Sequence, residues 1–151
     1  SDLILASLDV NQVATYVGGA GEYVLMKHYG WLKNGDIGNE SGYDATDKEG
    51  SKYEIKSMSY ETKTPYVAYK HAVKANKYDY LSIIHFNEKR VAHIPKEEIN
   101  KFIKDNTLPG RKTKSLRLCF SDPILTGLGK PRKKSLFLSL FLKYEDKQFT
   151  F

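Results

Sequence analysis

The chain has 151 residues, of which 40% are hydrophobic and 28% are charged. That length and composition are typical of one globular domain, so we expect a single domain over residues 1–151 and exclude a disordered or fibrous protein. The single cysteine, Cys119, excludes an internal disulfide, and the sequence has neither a signal-peptide pattern nor an apolar run long enough for a membrane span. We therefore expect a cytoplasmic protein without a membrane partner.

The positive charge is concentrated at the carboxyl end of the sequence. Residues 1–110 hold 14 Lys or Arg against 15 Asp or Glu, whereas residues 111–151 hold 10 against 3. A segregated positive field favours a polyanionic partner, of which nucleic acid is the commonest, although a basic segment can also be a solvated surface. The charge pattern therefore predicts a nucleic-acid-binding surface in the basic C-terminal portion.

Two short helices are predicted in the first third of the chain. Residues 9–17 can form a helix that the following glycines end, and residues 21–29 can form a second helix that ends at Gly30. Glu22 lies in the first turn of the second helix. An acidic residue is favoured there by the helix dipole, so its position has a structural explanation as well as a functional one.

A β-hairpin is predicted over residues 43–47 and 51–58, around the turn formed by residues 48–50. If Gly50 takes the left-handed bulge position of a three-residue loop, Asp44 falls directly opposite Glu54. Side chains two apart on a strand share a face, so Glu54 and Lys56 point the same way as Asp44. The hairpin is therefore expected to bring two carboxylates and a lysine together.

The rest of the chain is predicted to combine helices with strands. We expect two helices, at residues 65–77 and 95–105, and four strands, at residues 80–86, 90–94, 116–120 and 136–144. Together with the hairpin, these elements predict an α/β fold in which a central mixed β-sheet is flanked by helices.

The facing carboxylates have a chemical use. Phosphodiester hydrolysis needs hard oxygen ligands that hold Mg²⁺ against a phosphate oxygen, and a cation that orients or acidifies the attacking water. A metal ion also keeps two adjacent carboxylates ionised, since they otherwise repel each other. The alternative is the solvated face of an ordinary hairpin with a cross-strand salt bridge, which contributes about 0–1 kcal/mol to stability.

The sequence around this hairpin resembles the PD-(D/E)XK nuclease superfamily. Gly42-Tyr43-Asp44 is followed, after a short loop, by Glu54-Ile55-Lys56, and a tyrosine stands where the motif usually has a proline. Residues 42–57 as a whole are similar to the catalytic hairpin of the PvuII-like type II restriction endonucleases. The resemblance implies a restriction-endonuclease-like fold, a homodimer and cleavage of double-stranded DNA.

The same resemblance implies the roles of individual residues. Asp44, Glu54 and Lys56 would be catalytic, and the metal would be held by Asp44, Glu54 and the carbonyl oxygen of Ile55. Glu22 resembles the glutamate that many members of the superfamily place near the metal on an early helix, and it is a further candidate catalytic residue. The implied cofactor is Mg²⁺, with one or two ions in each active site, and no organic cofactor is expected.

Candidate DNA contacts follow the catalytic strand. Lysines recur at helical spacing in the predicted helix over residues 65–77, although a solvated amphipathic face explains them equally well. Two basic loops nearer the carboxyl end are better candidates for contacts to phosphates, because several like charges occur there with almost no acids. The predicted DNA contacts are Ser57, Lys63, Tyr66, Lys70, Lys74, Arg111, Lys112, Lys114, Lys130, Arg132, Lys133 and Lys134.

The sequence thus predicts a Mg²⁺-dependent DNA endonuclease, with a type II restriction endonuclease as the first choice. One alternative is a structure-selective or homing endonuclease of the same superfamily. A comparison of the cleavage of branched and linear DNA would distinguish it from a restriction endonuclease. Another is a basic nucleic-acid-binding module without catalysis. Such a module would show salt-sensitive binding that survives the substitution Asp44→Ala, and no metal-dependent cleavage.

Overall fold

The computed structural model describes residues 10–34, 42–58, 66–68, 77–106, 115–117 and 136–150. Three helices lie in this part of the chain: α1 (Val10–Tyr29), α2 (Lys96–Asn106) and α3 (Leu136–Tyr144). The strands described there are β1 (Leu32–Lys33), β2 (Ala45–Thr46), β3 (Lys52–Met58), β4 (Tyr66–Ala68), β5 (Tyr80–His85), β6 (Arg90–Pro95) and β7 (Ser115–Arg117).

Five of the strands form one mixed sheet in the order β1-β2-β3-β5-β6. The central pair β3 and β5 is parallel, and the three other pairs are antiparallel. Strands β4 and β7 form a separate antiparallel pair. The predicted α/β class, with a mixed sheet accompanied by helices, is confirmed.

Helices cover both faces of the sheet, because the central strands are apolar on both sides. On one face, Leu81 and Ile83 of β5 pack with residues of α2 and α3, among them Phe137. On the other face, Ile55 and Ile84 pack with Leu25 of α1. Successive side chains of a strand point to opposite faces, so the near-continuous apolar run of β5 supplies both cores.

Helix α1 is a single helix, so the predicted break at the glycines is wrong. Gly21 is buried against the sheet, and a Cβ atom there would collide with Ser57 Oγ. Packing of the helix on β3 thus outweighs the poor helix propensity of glycine. The predicted end is confirmed: Gly30 has a φ of 70°, and the Trp31 N–H donates to the Met26 carbonyl oxygen at 3.0 Å, as in a Schellman motif.

Residues 136–144, predicted as a strand, form helix α3. Phe137 and Phe141 are four residues apart and both are fully buried, whereas Leu142 is 46% exposed. Burial therefore repeats with the helical period, which an almost uniformly apolar run does not reveal in sequence. None of the helices in the described ranges is long and apolar enough to cross a membrane.

The helix predicted over residues 65–77 is wrong at its start, because Tyr66–Ala68 is strand β4. Its aromatic and β-branched residues favour a strand, and pairing with β7 provides the backbone hydrogen bonds. Residues 69–76 lie outside the described ranges. The strands predicted at 80–86 and 90–94 and the helix predicted at 95–105 are confirmed as β5, β6 and α2, and β7 confirms the first part of the strand predicted at 116–120.

Candidate active site

The hairpin of β2 and β3 has the predicted register. Ala45 pairs with Tyr53 and Thr46 pairs with Lys52, and Asp44 directly precedes these pairs. The Asp44 N–H also donates to the Tyr53 carbonyl oxygen, at 2.7 Å, which is one residue out of this register, as in a β-bulge, so Asp44 adjoins β3 without forming a regular pair. Gly50 has a φ of 85°, the left-handed conformation that the three-residue loop requires.

Asp47 closes the turn of this hairpin and has a structural role. Its carboxylate accepts hydrogen bonds from the Glu49 N–H at 3.0 Å, the Ser51 N–H at 2.9 Å and the Tyr53 hydroxyl at 2.8 Å. These hydrogen bonds favour the charged form and lower the pKa of Asp47, although burial acts in the opposite direction. This acid therefore fixes the loop that sets the register of Asp44 and Glu54.

Asp44 is oriented by the strand opposite it. The Ile55 N–H donates to Asp44 Oδ2 at 2.7 Å, while Oδ1 accepts no hydrogen bond from the described residues. The N–H and C=O groups of one residue point to the same side of a strand, so the Ile55 carbonyl oxygen is also directed to the edge of β3 that carries Asp44. The three oxygen donors predicted to hold a metal therefore lie at one edge.

Glu54 and Lys56 form the second half of the site. The Lys56 ammonium nitrogen lies 3.6 Å from Glu54 Oε1, and the two side chains are 37% and 24% exposed, respectively. Burial raises the pKa of Glu54 to about 7, and the negative charge of Asp44 adds to the shift, while Lys56 opposes it. Burial also raises the pKa of Asp44, against the hydrogen bond from Ile55 and the charge of Lys56.

Glu22 approaches this site from helix α1. Burial raises its pKa, the charge of Asp44 raises it further, and the charges of Lys33 and Lys56 lower it. Glu22 therefore lies within electrostatic range of the hairpin carboxylates. The adjacent Gly21 explains how, since the absence of a side chain there lets the helix backbone come close to β3.

Two residues that sequence reasoning did not identify support the site. Asn34 holds the segment before β2, because its backbone N–H donates to the Asp44 carbonyl oxygen at 2.9 Å and its side-chain amide donates to the Tyr43 carbonyl oxygen at 3.0 Å. Tyr78 is 5% exposed, and burial together with the charge of Glu54 raises its pKa to about 12. The dipeptide Asn34-Gly35 is a turn signal, but no local pattern places either residue at the site.

The donor set fits a divalent cation of the Mg²⁺ type. Carboxylate and carbonyl oxygens are the hard ligands that Mg²⁺ prefers, and the raised pKa of Glu54 reflects a buried negative pair that such a cation would neutralise. No group of three or more His, Cys, Asp or Glu side chains in the described ranges is arranged to hold a metal ion. A metal here would thus depend on two carboxylates, the Ile55 carbonyl oxygen, water and the substrate.

Of the predicted DNA contacts, Ser57 and Tyr66 lie in the described ranges. Ser57 lies on the opposite face of β3 from Glu54 and Lys56, where its hydroxyl is buried next to Gly21 without a hydrogen-bond partner in the described structure. Tyr66 lies on β4. The other predicted contacts fall outside the described ranges and stay predictions: Lys63, Lys70, Lys74, Arg111, Lys112, Lys114, Lys130, Arg132, Lys133 and Lys134.

The described site thus joins a carboxylate pair, a lysine next to one of them and a third acid on the neighbouring helix. A comparison of the chain with protein families gives no match, and a comparison with curated proteins gives no significant one. A function for this protein is therefore argued from the chemistry of the site.

Proposed function

We propose that the protein is a Mg²⁺-dependent endonuclease that hydrolyses phosphodiester bonds of double-stranded DNA. The observation that carries the proposal is the hairpin geometry, in which the Ile55 N–H holds the Asp44 carboxylate at β3 next to Glu54, and the Lys56 ammonium group lies 3.6 Å from the Glu54 carboxylate. The resemblance of residues 42–57 to the catalytic hairpin of PD-(D/E)XK nucleases, and of type II restriction endonucleases in particular, supports it.

Each group at the edge of β3 has a role in this reaction. Asp44, Glu54 and the Ile55 carbonyl oxygen would hold Mg²⁺, which when bound supplies positive charge at the scissile phosphate and lowers the pKa of the attacking water. Lys56 donates a hydrogen bond that holds this water in line with the phosphorus atom. Its cationic charge also stabilises the negative charge that develops during attack.

The remaining parts of the proposal concern assembly and context. A restriction-endonuclease-like fold is consistent with the mixed sheet and with the position of the carboxylates beside its parallel strand pair. One active site cuts one strand, so cleavage of a duplex calls for a homodimer whose two-fold symmetry matches a palindromic site. We place the enzyme in the cytoplasm, where a single cysteine stays reduced.

The test is to incubate the full chain, and two lysine variants of it, with plasmid and phage DNA. Each protein is tested with Mg²⁺ and with EDTA. Lys56→Ala is expected to abolish cleavage, whereas Lys48→Ala, which removes an exposed lysine from the tip of the same hairpin, should leave it intact. Discrete bands that require Mg²⁺ would identify a restriction enzyme and give its recognition site.

Three other outcomes would change the proposal. Cleavage of branched DNA alone would point to a structure-selective nuclease. DNA binding that survives Asp44→Ala, with no cleavage of any substrate in Mg²⁺, would leave a binding module. Cleavage that persists in both Lys56→Ala and Glu54→Gln would place the active site elsewhere in the chain.

A further inference from the structure

Five aromatic rings form one nearly parallel column beside the catalytic hairpin. From one end to the other, the ring centroids are separated by 6.0, 4.8, 3.9 and 5.3 Å, and each successive pair of ring planes is inclined by 17° to 21°. Stacking of this kind contributes about 0.5–1.5 kcal/mol for each pair, so the column stabilises the fold. Its members, in spatial order, are Phe149, Tyr29, Trp31, Tyr53 and Tyr80.

The two rings that enclose Trp31 each carry a hydroxyl group that is hydrogen-bonded to an acid. The Tyr29 hydroxyl donates to Asp146 Oδ2 at 2.6 Å, and the Tyr53 hydroxyl donates to Asp47 Oδ2 at 2.8 Å. Each phenol therefore has a carboxylate proton acceptor in direct hydrogen-bond contact.

This arrangement is suited to one-electron chemistry. Indole and phenol are the side chains that lose a single electron most readily, after thiols. Trp31 is the single tryptophan of the sequence and is 8% exposed. A phenol that loses an electron becomes a much stronger acid than a carboxylic acid, so it must pass on its proton at once. Only a base already hydrogen-bonded to the hydroxyl receives that proton without diffusion.

We propose that the column is a radical relay that repairs Trp31 after an oxygen-derived radical has removed one electron from its indole. Tyr29 or Tyr53 gives an electron to the indole radical cation, its O–H bond breaks, and the proton forms a new O–H bond on the aspartate that accepts its hydrogen bond. The products are an intact indole, a neutral tyrosyl radical and a protonated aspartate. Charge and electrons balance, because one electron and one proton leave the phenol.

The column also provides an exit for the radical. Tyr80 stacks on Tyr53 and lines an open polar pocket with Glu49, Asp79 and Glu97. Tyr80 can give an electron to the Tyr53 radical and its own proton to water, while Asp47 returns its proton to Tyr53. A thiol in solution then transfers a hydrogen atom to the Tyr80 radical, which restores the phenol and leaves a thiyl radical.

The position of Trp31 explains why such a repair is useful. Trp31 belongs to the same core cluster as Ala45 and Ile55, the residues that adjoin Asp44 and Glu54. Irreversible oxidation of the indole would enlarge a fully packed side chain directly beneath the catalytic hairpin. The proposed relay rests on the stacked rings and the two tyrosine–aspartate hydrogen bonds, and it does not depend on nuclease activity.

The test is flash-quench oxidation of the full chain with a ruthenium polypyridyl complex, followed by transient absorption and electron paramagnetic resonance. In the unaltered protein the indole radical should convert to a tyrosyl radical. The double substitution Tyr29→Phe with Tyr53→Phe keeps both rings but removes both hydroxyls, and it should slow decay of the indole radical by about tenfold or more, equivalent to about 1.4 kcal/mol of activation free energy.

A matched control separates the relay from a structural role. Tyr23→Phe removes the hydroxyl of a tyrosine that is 63% exposed and lies outside the column, so it should leave the decay rate unchanged. The double variant should also accumulate more oxidised Trp31 after steady illumination, as measured by peptide mass spectrometry. The relay would be overturned if the indole radical had the same lifetime in the unaltered protein and in the double variant, and the double variant differed only in a lower thermal stability.

Discussion

The backbone N–H of Ile55 donates to Asp44 Oδ2 at 2.7 Å, so the aspartate is oriented by the strand that carries Glu54. Burial raises the pKa of Asp44, and this hydrogen bond and the charge of Lys56 oppose that shift. The result is a pair of carboxylates held in place against their mutual repulsion. Their position is therefore set before any metal binds, and part of the ordering cost of binding is already met by the fold.

Asp44→Asn should separate the charge of this residue from its shape. The amide keeps an oxygen that can accept from the Ile55 N–H, so the fold should survive, but the negative charge is lost. We expect weaker binding of Mg²⁺, loss of cleavage, and a lower pKa for Glu54, because Asp44 is the second cause of its upward shift after burial. Calorimetric titration with Mg²⁺ and an infrared titration of the carboxylates measure the two effects. Unchanged Mg²⁺ affinity would remove Asp44 from the metal site.

Two glycines of α1 should respond in opposite directions to substitution by alanine. Gly21→Ala adds a Cβ that collides with Ser57 Oγ and lies 3.1 Å from Ile84 Cγ2, so the Ser57 side chain or the helix must shift, at a cost of about 1–3 kcal/mol. Gly19→Ala adds a Cβ with no neighbour within 4 Å, and the better helix propensity of alanine should stabilise the protein by about 0.5–1 kcal/mol. Urea unfolding of both variants measures these changes in the free energy of unfolding and checks their directions.

The same pair tests how Glu22 reaches the site. A shift of α1 in Gly21→Ala moves Glu22 away from Asp44, so cleavage should fall more than the loss of stability explains. Gly19→Ala should leave cleavage unchanged. Equal activity of both variants at a temperature where both are folded would show that the position of α1 does not matter for catalysis.

Asn34→Asp should disturb the site through the backbone. The side-chain amide of Asn34 donates to the Tyr43 carbonyl oxygen at 3.0 Å, and a carboxylate of the same size would place an acceptor against an acceptor. We expect a lower kcat with the fold retained, because the segment that leads into Asp44 loses its anchor. Leu32→Ala is the control, since this side chain of β1 is 71% exposed. Equal kcat values for Asn34→Asp and the unaltered protein would contradict a positioning role.

Structural features that depend on interactions between neighbouring residues could be predicted from the sequence, whereas features that depend on contacts between distant segments could not. The hairpin could be predicted because loop length and the left-handed Gly50 fix its register locally. The pairing of Leu32–Lys33 with Ala45–Thr46 joins segments separated along the chain, so neither the anchor at Asn34 nor the edge of the sheet had a local signal. The residues of α3 are almost uniformly apolar, so their sequence shows neither a helical nor a strand period, and the prediction of a strand there was wrong.

The glycines of α1 illustrate the opposite failure, where a strong local signal was overruled. Glycine lowers helix propensity by about 1 kcal/mol, which favours a break. Burial of Leu25 and the close approach at Gly21 contribute more than that, because both exist only once the sheet is in place. Tertiary packing of this kind is invisible to a pattern read along the chain.

His93 should make the protein less stable in mild acid, whereas the raised pKa of Glu54 acts in the opposite direction. Burial among Tyr29, Trp31 and Tyr53 lowers the pKa of His93 from its usual 6.5 to about 4, against the favourable charge of Asp146. At pH values between about 4 and about 6.5, His93 binds a proton in the unfolded chain but not in the folded protein. This stability is therefore present above the unfolded pKa and is lost as the pH falls from about 6.5 to about 4, by up to ~3 kcal/mol.

Replacement of His93 by a residue that does not titrate isolates this contribution. Asn at position 93 can keep a hydrogen bond with Ser82 Oγ, which lies 2.7 Å from His93 Nδ1. We expect His93→Asn to be less stable than the unaltered protein at neutral pH, because part of the ring packing is lost, but to lose less of its remaining stability on acidification. Free energies of unfolding in urea, measured in steps across that pH interval, give both slopes. Parallel slopes would mean that His93 takes up its proton over the same pH range in the folded and the unfolded protein, which would contradict the lowered pKa.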